Sequence, residues 1–562
     1  MKDGFFPFRL AWLIPVAALV TIGLGLWGWL AVGKPADEAL YRAIALFDIN
    51  NSAYADGPGI ADWRFRVGRW TGAFVVFSSL VALAALLREH IATALARWTK
   101  QQVMIAGGEP LAMAAFDVAR TRKSVLWLGA SAFTSIRFSA IALPWPPRDH
   151  ARAVSDYARR ADHLLIAEKD DAAALALARA ARAAAPNAEL TVIMSDVRLA
   201  EDAAATLNDP RARVVAAGQV AARALNLAHP PFLIARERGQ ARIHALIVGF
   251  GQTGQAIARD LIVNCRTTYL APPRLTVIDP MAEALEGVLR VRAPELDACA
   301  EHRFVEGEIG GRAVRPEPAA IAAALADGGP LTAAYVCLAD DTAALSAATM
   351  LQSLLRSLDM AAPAIFVRLR SAGAIGEAGR PDAGGLDALT PFGDLEAVLA
   401  ASDFLADAPD AAARAFHAAY RASLPAQRRD DPAHASARPW EDLAETYRRT
   451  NRDAVAHIPA KLASAGVDPA DWRGRGGPPR LAACDALSGD PAGLEALAVL
   501  EHERWSAQRR MDGWRAAPAG GRDEAARRNP DLKPWAELSE ESKRYDRVIV
   551  KCSEAACRGD GK

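Results

Sequence analysis

Neither sign of charge prevails in this 562-residue chain: Lys plus Arg is 66 and Asp plus Glu is 66. A protein that grips nucleic acid through its phosphates carries a basic excess, so that class is disfavoured. Cysteine is scarce. There are six, only Cys552 and Cys557 are close, and no histidine stands near them at a zinc spacing. Neither a disulfide scaffold nor a zinc module is expected, and a reducing compartment fits. Gly 40 and Pro 34 are ordinary counts, which excludes collagen-like or wholly disordered chains. The backbone-carbonyl run T-V-G-Y-G of a potassium filter is missing, and Gly57-Pro58-Gly59 cannot replace it. The length suggests about three to four domains of roughly 150 residues.

What is present begins with apolar runs. Ala11 to Val32 holds 22 residues without a charge, with Trp27 and Trp29 near one end. At about 1.5 Å per helical residue it spans the hydrocarbon of a bilayer. It is too long for a signal-peptide core, and no A-x-A site follows. Trp70 to Leu87 is a second uncharged run of 18, bracketed by Arg69 and Arg88. Two spans place both chain ends on one side. Loop and flanks carry five basic residues each, so charge counting gives no orientation. Between the runs, Leu40 to Phe47 has an amphipathic helical pattern.

Downstream, apolar strands alternate with helices, the pattern of doubly wound parallel sheets. Ala245-Leu246-Ile247-Val248 runs straight into Gly249-Phe250-Gly251-Gln252-Thr253-Gly254, and a helix follows. This is G-x-G-x-x-G in its strand–turn–helix context. Gly249 makes the tight turn, Gly251 lets a pyrophosphate approach, and Gly254 lets the helix pack on the strand. The helix N-terminus offers free N–H groups to phosphate. The next strand, Leu275 to Ile278, ends at Asp279, an acid placed for ribose hydroxyls. Asp279 lies 28 residues past Gly251 instead of about 20, with Thr267 to Arg274 read as an insertion. Further strands are expected at Phe304 to Glu308, Ala334 to Leu338 (ending at Asp340-Asp341) and Ile365 to Leu369.

An earlier, worn copy of the plan starts at Val103-Met104-Ile105-Ala106 and Gly107-Gly108-Glu109-Pro110. Its strands are Val125 to Leu128, His163 to Ala167 and Leu190 to Met194, the last expected to close the sheet. Ala161 to Leu175 mirrors Thr332 to Leu345: apolar strand, acidic pair, Ala-rich helix. The third glycine and the ribose acid are missing, so an intact dinucleotide site is not expected there.

These residues resemble the TrkA-N, or RCK N-terminal, nucleotide-binding domain of bacterial potassium transport regulators. The resemblance rests on Gly249 to Gly254, the strand ending at Asp279, and Cys337-Leu338-Ala339-Asp340-Asp341. It covers residues 101–405, more closely in the second copy. It implies a site at Gly249, Phe250, Gly251, Gln252, Thr253, Gly254, Asp279 and Asp340 for NAD(H) or an ATP-type nucleotide. It also implies gating of an ion pathway without hydride transfer, a homo-oligomer, and an ion-transport partner. No catalytic constellation surrounds the motif.

Residues 422–439 read as a linker rich in Ala, Pro, Arg and Asp. Beyond it, His502, Trp505, Gly513-Trp514, Arg522-Asp523, Pro530-Asp531-Leu532 and Pro534-Trp535 resemble the RyR domain, named after ryanodine receptors. Tyr447 to Arg452 fits its first half. Pro518-Ala519-Gly520-Gly521 and the tail with Cys552 and Cys557 depart from the pattern. Trp505, Trp514 and Trp535 offer flat surfaces, and Arg504, Arg522 and Lys543 offer partners for phosphate. With Asp523, these tryptophans and the two arginines form the expected ligand set. His502 and His417 are read as packed or hydrogen-bonded, not catalytic.

The expected organisation is a membrane-anchored α/β chain with two N-terminal transmembrane helices (1–100). Tandem Rossmann-like doubly wound parallel sheets follow, degenerate at 101–240 and intact at 241–405. Then come a helix and linker (406–439) and a mainly α-helical RyR-like domain (440–556). The function expected is a nucleotide sensor in the inner membrane of a bacterium, its bulk cytoplasmic because free nucleotides are there. An NAD-dependent oxidoreductase and a subunit of an oligomeric ion channel are the alternatives.

Overall fold

A computed structural model describes residues 13–48, 62–130, 135–137, 139–146, 148–310, 313–326, 328–371, 385–402, 404–406, 410–431, 434–472, 481–517 and 521–558. Ala11, Trp12, Gly57-Pro58-Gly59 and Pro518-Ala519-Gly520, singled out above, lie outside them. The chain forms two compact units, residues 1–99 with 134–143, and 100–133 with 144–562.

In the first unit, Leu13–Ala31 is a helix, Ala36–Ile44 another, and Trp63–Trp98 a third of 36 residues. Among the described residues one helix, Leu13–Ala31, is long and apolar enough to cross a membrane, with mean hydropathy 1.9. The run Trp70 to Leu87 lies within the unbroken third helix. Small residues allow these helices to touch, as they do where apolar surroundings supply no hydrophobic drive. A Cβ on Gly25 would stand 2.6 Å from Leu46 Cδ1, and one on Gly28 2.6 Å from Phe65 Cζ. Between them Thr21 donates its hydroxyl to Thr71 Oγ1 at 2.7 Å. Leu19, Trp70 and Phe77 on these helices are about 70% or more exposed. A hairpin, Ser135–Arg137 with Ala140–Leu143, belongs to the same unit.

The second unit is built on two parallel sheets. In one, the order is Val125–Leu128, Gln101–Ala106, Ala161–Ile166, Glu189–Met194, Ala212–Ala216. Ala212–Ala216 therefore takes the edge expected for Leu190 to Met194. It is half-buried at its centre, and Arg213 shortens the apolar run that marks its neighbours. In the other sheet, the order is Glu301–Glu306, Ala271–Asp279, Arg242–Val248, Ala333–Val336, Ala364–Arg368, Leu389–Phe392. This is the dinucleotide-binding strand order, reversing direction between Arg242–Val248 and Ala333–Val336. The strand expected to reach Glu308 stops at Glu306, and Glu308–Ile309 instead pairs antiparallel with Val314–Arg315. Part of the supposed insertion is strand: Ala271–Asp279 begins four residues early, which accounts for half of the extra spacing before Asp279.

Helices Glu445–Ala456, Ile458–Ser464, Pro491–Met511 and Glu540–Arg558 make up most of the C-terminal region. It is not hung on a bare linker. One apolar cluster runs from Leu225 and Ile257 beside the second sheet to Leu500 and Val550. Within 422–439, Ala437 is fully buried, and Arg438 carbonyl accepts from His417 Nε2 at 2.7 Å. The cysteine reading also changes. Cys484 and Cys557 are joined as a disulfide, Cα atoms 5.6 Å apart, across 73 residues. Spacing could not reveal this pair, because the fold, not the local sequence, brings it together. Cys265, Cys299, Cys337 and Cys552 are free and buried.

Candidate nucleotide turn and C-terminal cavity

The glycine turn lies at the point where the second sheet reverses strand order. Gly249 has φ +88°, open to glycine, and a Cβ there would press on Leu338 Cδ2 at 2.8 Å. A Cβ on Gly254 would collide with the Gly249 carbonyl oxygen, so the helix can sit on the strand only with glycine there. Above Gly251 a Cβ would meet nothing within 4 Å. The helix Gln252–Asn264 starts here, with Gln255 N–H donating to Gly251 carbonyl at 3.0 Å. The N–H groups ahead of that bond have no place in the helical ladder, an arrangement that suits an anion.

The remaining predicted residues hold the turn. The Asp279 carboxylate accepts Phe250 N–H and Met281 N–H, each at 2.8 Å. Phe250 contributes its backbone; its buried ring packs edge-on to Phe304, centroids 5.0 Å apart. Gln252 points away from the crevice. It donates to Asp196 Oδ2 at 2.8 Å and accepts Val197 N–H at 3.3 Å, fastening the turn to a helix of the other sheet. Thr253 is half-buried, its backbone close to Gly218. Asp340 has a structural role of its own. It caps the helix Asp341–Ser357, accepting Ala343 N–H at 2.8 Å, which is reason enough for an acid there.

In the worn copy, the first glycine turn is tightly packed. Cβ atoms on Gly107 and Gly129 would collide with the Ala167 and Gly107 carbonyl oxygens, and Trp127 Nε1 donates to Gly107 carbonyl at 2.9 Å.

A buried charge network links the glycine-turn helix to the C-terminal region. Arg259 pairs with Asp453 and Asp512, each at 3.3 Å. Asp453 also pairs with Arg223, and Asp512 with Arg449 at 2.7 Å. Burial would raise the Asp453 carboxyl, but Arg259, Arg223 and Arg449 hold it down to about 2. A cavity of about 530 Å³ opens beside this network, walled partly by Arg198, Arg259, Arg449 and Trp514.

The helix Pro491–Met511 is buried on most sides, polar residues included. Arg504, expected to face a ligand, is 1% exposed and committed to Glu501 at 2.8 Å and Gln508 at 2.8 Å. Glu501 also takes Lys461 at 2.8 Å. His502 donates from Nε2 to the Lys533 carbonyl at 2.8 Å, and its Nδ1 lies 3.3 Å from Asp546. Burial opposes its charge, yet Asp546 and the Lys533 carbonyl raise its pKa. A second cavity, about 360 Å³, is lined by Trp505, Arg522, Tyr447, Asn451 and Arg509, with Arg504 at its wall. The expected ligand set is thus divided. Trp505 and Arg522 line this cavity, and Trp514 lines the larger one. Trp535 is half-buried under Lys543 and Arg547, 5.8 and 5.9 Å from its ring. Asp523 is exposed and accepts Ala526 N–H at 2.9 Å, a turn role. Arg509 escaped the sequence reading, since an Arg in a last helical turn ordinarily serves the helix dipole.

Residues 492–553 match the RyR domain family. No curated protein matches the chain. Among solved structures, the GsuK channel bound to NAD aligns at 12% identity and TM-score 0.36, covering 71% of this chain and 82% of that one. The GsuK RCK domain aligns at 11% identity and TM-score 0.34, covering 55% and 76%.

Proposed function

We propose that the chain is a membrane-anchored regulator that senses a nucleotide and controls transport of potassium or another ion, its second sheet binding NAD(H) or an ATP-type nucleotide. One observation carries this reading: the unobstructed crevice over Gly251, at the strand reversal, with a helix N-terminus beneath it. Phe250 and Asp279 shape the turn, and Gly249, Gly251, Thr253 and Gly254 offer backbone to the phosphates. The worn sheet is fastened to the turn by Gln252 and follows it. Trp63–Trp98 supplies the second span, so both ends face the cytoplasm. The site recognises rather than reacts, with no hydride transfer, and the regulator works as a homo-oligomer beside an ion-transport partner. The RyR-matching segment reads a second ligand.

Calorimetry on the full chain in micelles, with NAD, NADH, ATP and ADP, tests the reading. At least one should bind, and Gly251→Asp should remove most of that binding, on the order of several kcal/mol, by setting a carboxylate against phosphate. Gly251 has φ −67°, so the variant should fold. Unchanged affinity in folded Gly251→Asp would reduce the turn to a structural element. Reporters fused after Lys562 and near Asp56 should be active on opposite sides of the membrane. A bilayer recording without current would separate the regulator from a channel subunit.

A further inference from the structure

Among the described residues of the second unit, one buried arginine has no carboxylate at ion-pair distance. Arg509 is 7% exposed, its Nε has no hydrogen-bond partner, and its guanidinium makes no ion pair among the described residues. It is held between two indoles, 5.9 Å from the Trp505 ring and 5.4 Å from the Trp514 ring. Burial pushes its pKa down, with Asp512 pulling the other way. Its neighbours in the same helix are matched: Arg504 by Glu501 and Gln508, and Arg510 by Glu295 at 2.9 Å. A buried charge is ordinarily paired, so an unpaired one that faces a cavity marks where a counter-ion belongs.

That cavity has the composition of a ligand site. Its 360 Å³ stands at the small end of the roughly 300–1,000 Å³ usual for ligand pockets. Aromatic faces come from Tyr447 and Trp505, and an amide from Asn451, suited to a ring and to its polar edge. Most other charges on the cavity are accounted for. Glu501 is taken by Arg504 and Lys461, Asp546 by His502, and Arg522 by Glu524 at the surface. Asp531 accepts the Ser542 hydroxyl at 3.0 Å. Arg509 is the cation on this wall with no carboxylate at ion-pair distance among the described residues, and that is the place for one anionic group.

We propose that this cavity binds a nucleoside monophosphate unit, its phosphate on Arg509 and its base against Trp505. The proposal rests on the reading of the RyR-matching segment as a ligand sensor, and it names the ligand class and the residue that recognises it. Arg509 also lines the larger cavity, so it forms the shared wall of both.

The test uses the full chain carrying Gly251→Asp, so that binding at the glycine turn does not contribute. The four ribonucleoside 5′-monophosphates and the 3′,5′-cyclic forms of the purines are titrated, with the free nucleosides and inorganic phosphate as controls. At least one monophosphate should bind, with its nucleoside and phosphate alone each at least tenfold weaker. Adding Arg509→Gln should weaken it at least tenfold and flatten its salt dependence. In the chain with Gly251 intact, the Arg509→Gln variant should still bind NAD or ATP at the glycine turn, so failure here and failure of the glycine-turn reading are separate results. Thermal melting gives an independent measure. Without ligand, Arg509→Gln should melt at or above the parent temperature, because it removes an unmatched charge, while Arg504→Gln should melt lower. Binding of no monophosphate, equal binding of nucleoside and nucleotide, or a lower melting temperature for Arg509→Gln would each overturn the proposal.

Discussion

His457 shows how one buried side chain sets a pH limit. It is fully buried, with Nε2 3.0 Å from Arg266 carbonyl. Burial lowers its pKa from 6.5 to about 4; Glu501 opposes the shift, and Lys461 and Arg504 reinforce it. Above pH 6.5 the imidazole is neutral whether the chain is folded or not. As pH falls from 6.5 to 4 the unfolded chain takes up the proton first, so stability is lost across that window, by about 3 kcal/mol. His244 and His417 are lowered by burial too and act in the same direction, while His502 is raised and acts against them. His457→Gln should therefore shallow, not abolish, the acid limb of a denaturant-midpoint-against-pH profile. An unchanged limb would show that the proton is accommodated in the folded chain. Residue identities were legible where backbone chemistry is local. Gly249 and Gly254 have distinct roles because the turn and the packing of helix on strand each exclude a Cβ, while Gly251 leaves its side open. Arg509 was not legible as a ligand residue: its spacing puts it on the same helix face as Trp505, but the burial that leaves it without a carboxylate comes from the folded chain.

At the scale of elements, the repeated acidic pair has a mechanical explanation. Asp170 caps Asp171–Ala184 as Asp340 caps Asp341–Ser357, each accepting an N–H three residues on at 2.8 Å. The second acid reaches across to the next strand's exit. Asp171 accepts Ser195 and Asp196 N–H at 2.8 Å, and Asp341 accepts Arg370 N–H at 3.1 Å. Asp340→Ala should thus cost about 1 kcal/mol of stability in chemical denaturation, with nucleotide affinity unchanged; Asp340→Asn, itself a good cap, should cost less. A large loss of affinity in Asp340→Ala would restore the acid to the binding site. The pattern of strand, acidic pair and helix was readable twice because it is local. The Ala212–Ala216 edge and the polar interior of Pro491–Met511 were not. Their burial comes from partners far along the chain, such as Lys461 for Glu501 and Asp546 for His502.

At the scale of the whole second unit, the glycine turn and the C-terminal cavity share both an apolar core and a set of charges. Arg259 lies on the glycine-turn helix, and Asp512 ends the helix that carries Arg509. A ligand that draws Arg509 changes the field at Asp512, and through Arg259 the helix beneath the nucleotide. Linkage of this kind is worth ~1–3 kcal/mol and is reciprocal. Nucleotide affinity should differ about fivefold or more with and without the monophosphate, and Asp512→Asn should remove that dependence. Two affinities indifferent to each other would leave two independent sensors. The domain boundaries read from composition miss this, because a linker-like stretch says nothing about the surfaces that close over it.

The Cys484–Cys557 bond encloses the whole of residues 492–553. In the chain-entropy view a 73-residue loop contributes about 4 kcal/mol. It also changes what a protease can accomplish. Arg522 is exposed, and a tryptic cut after it would separate Cys484 from Cys557 in sequence but not in substance. The oxidised, nicked protein should run as one band without thiol and release a short C-terminal piece only with it. Until then the Glu540–Arg558 helix stays clasped beside the helix bearing Arg509, and a nicked chain should still hold the ligand that an intact one holds.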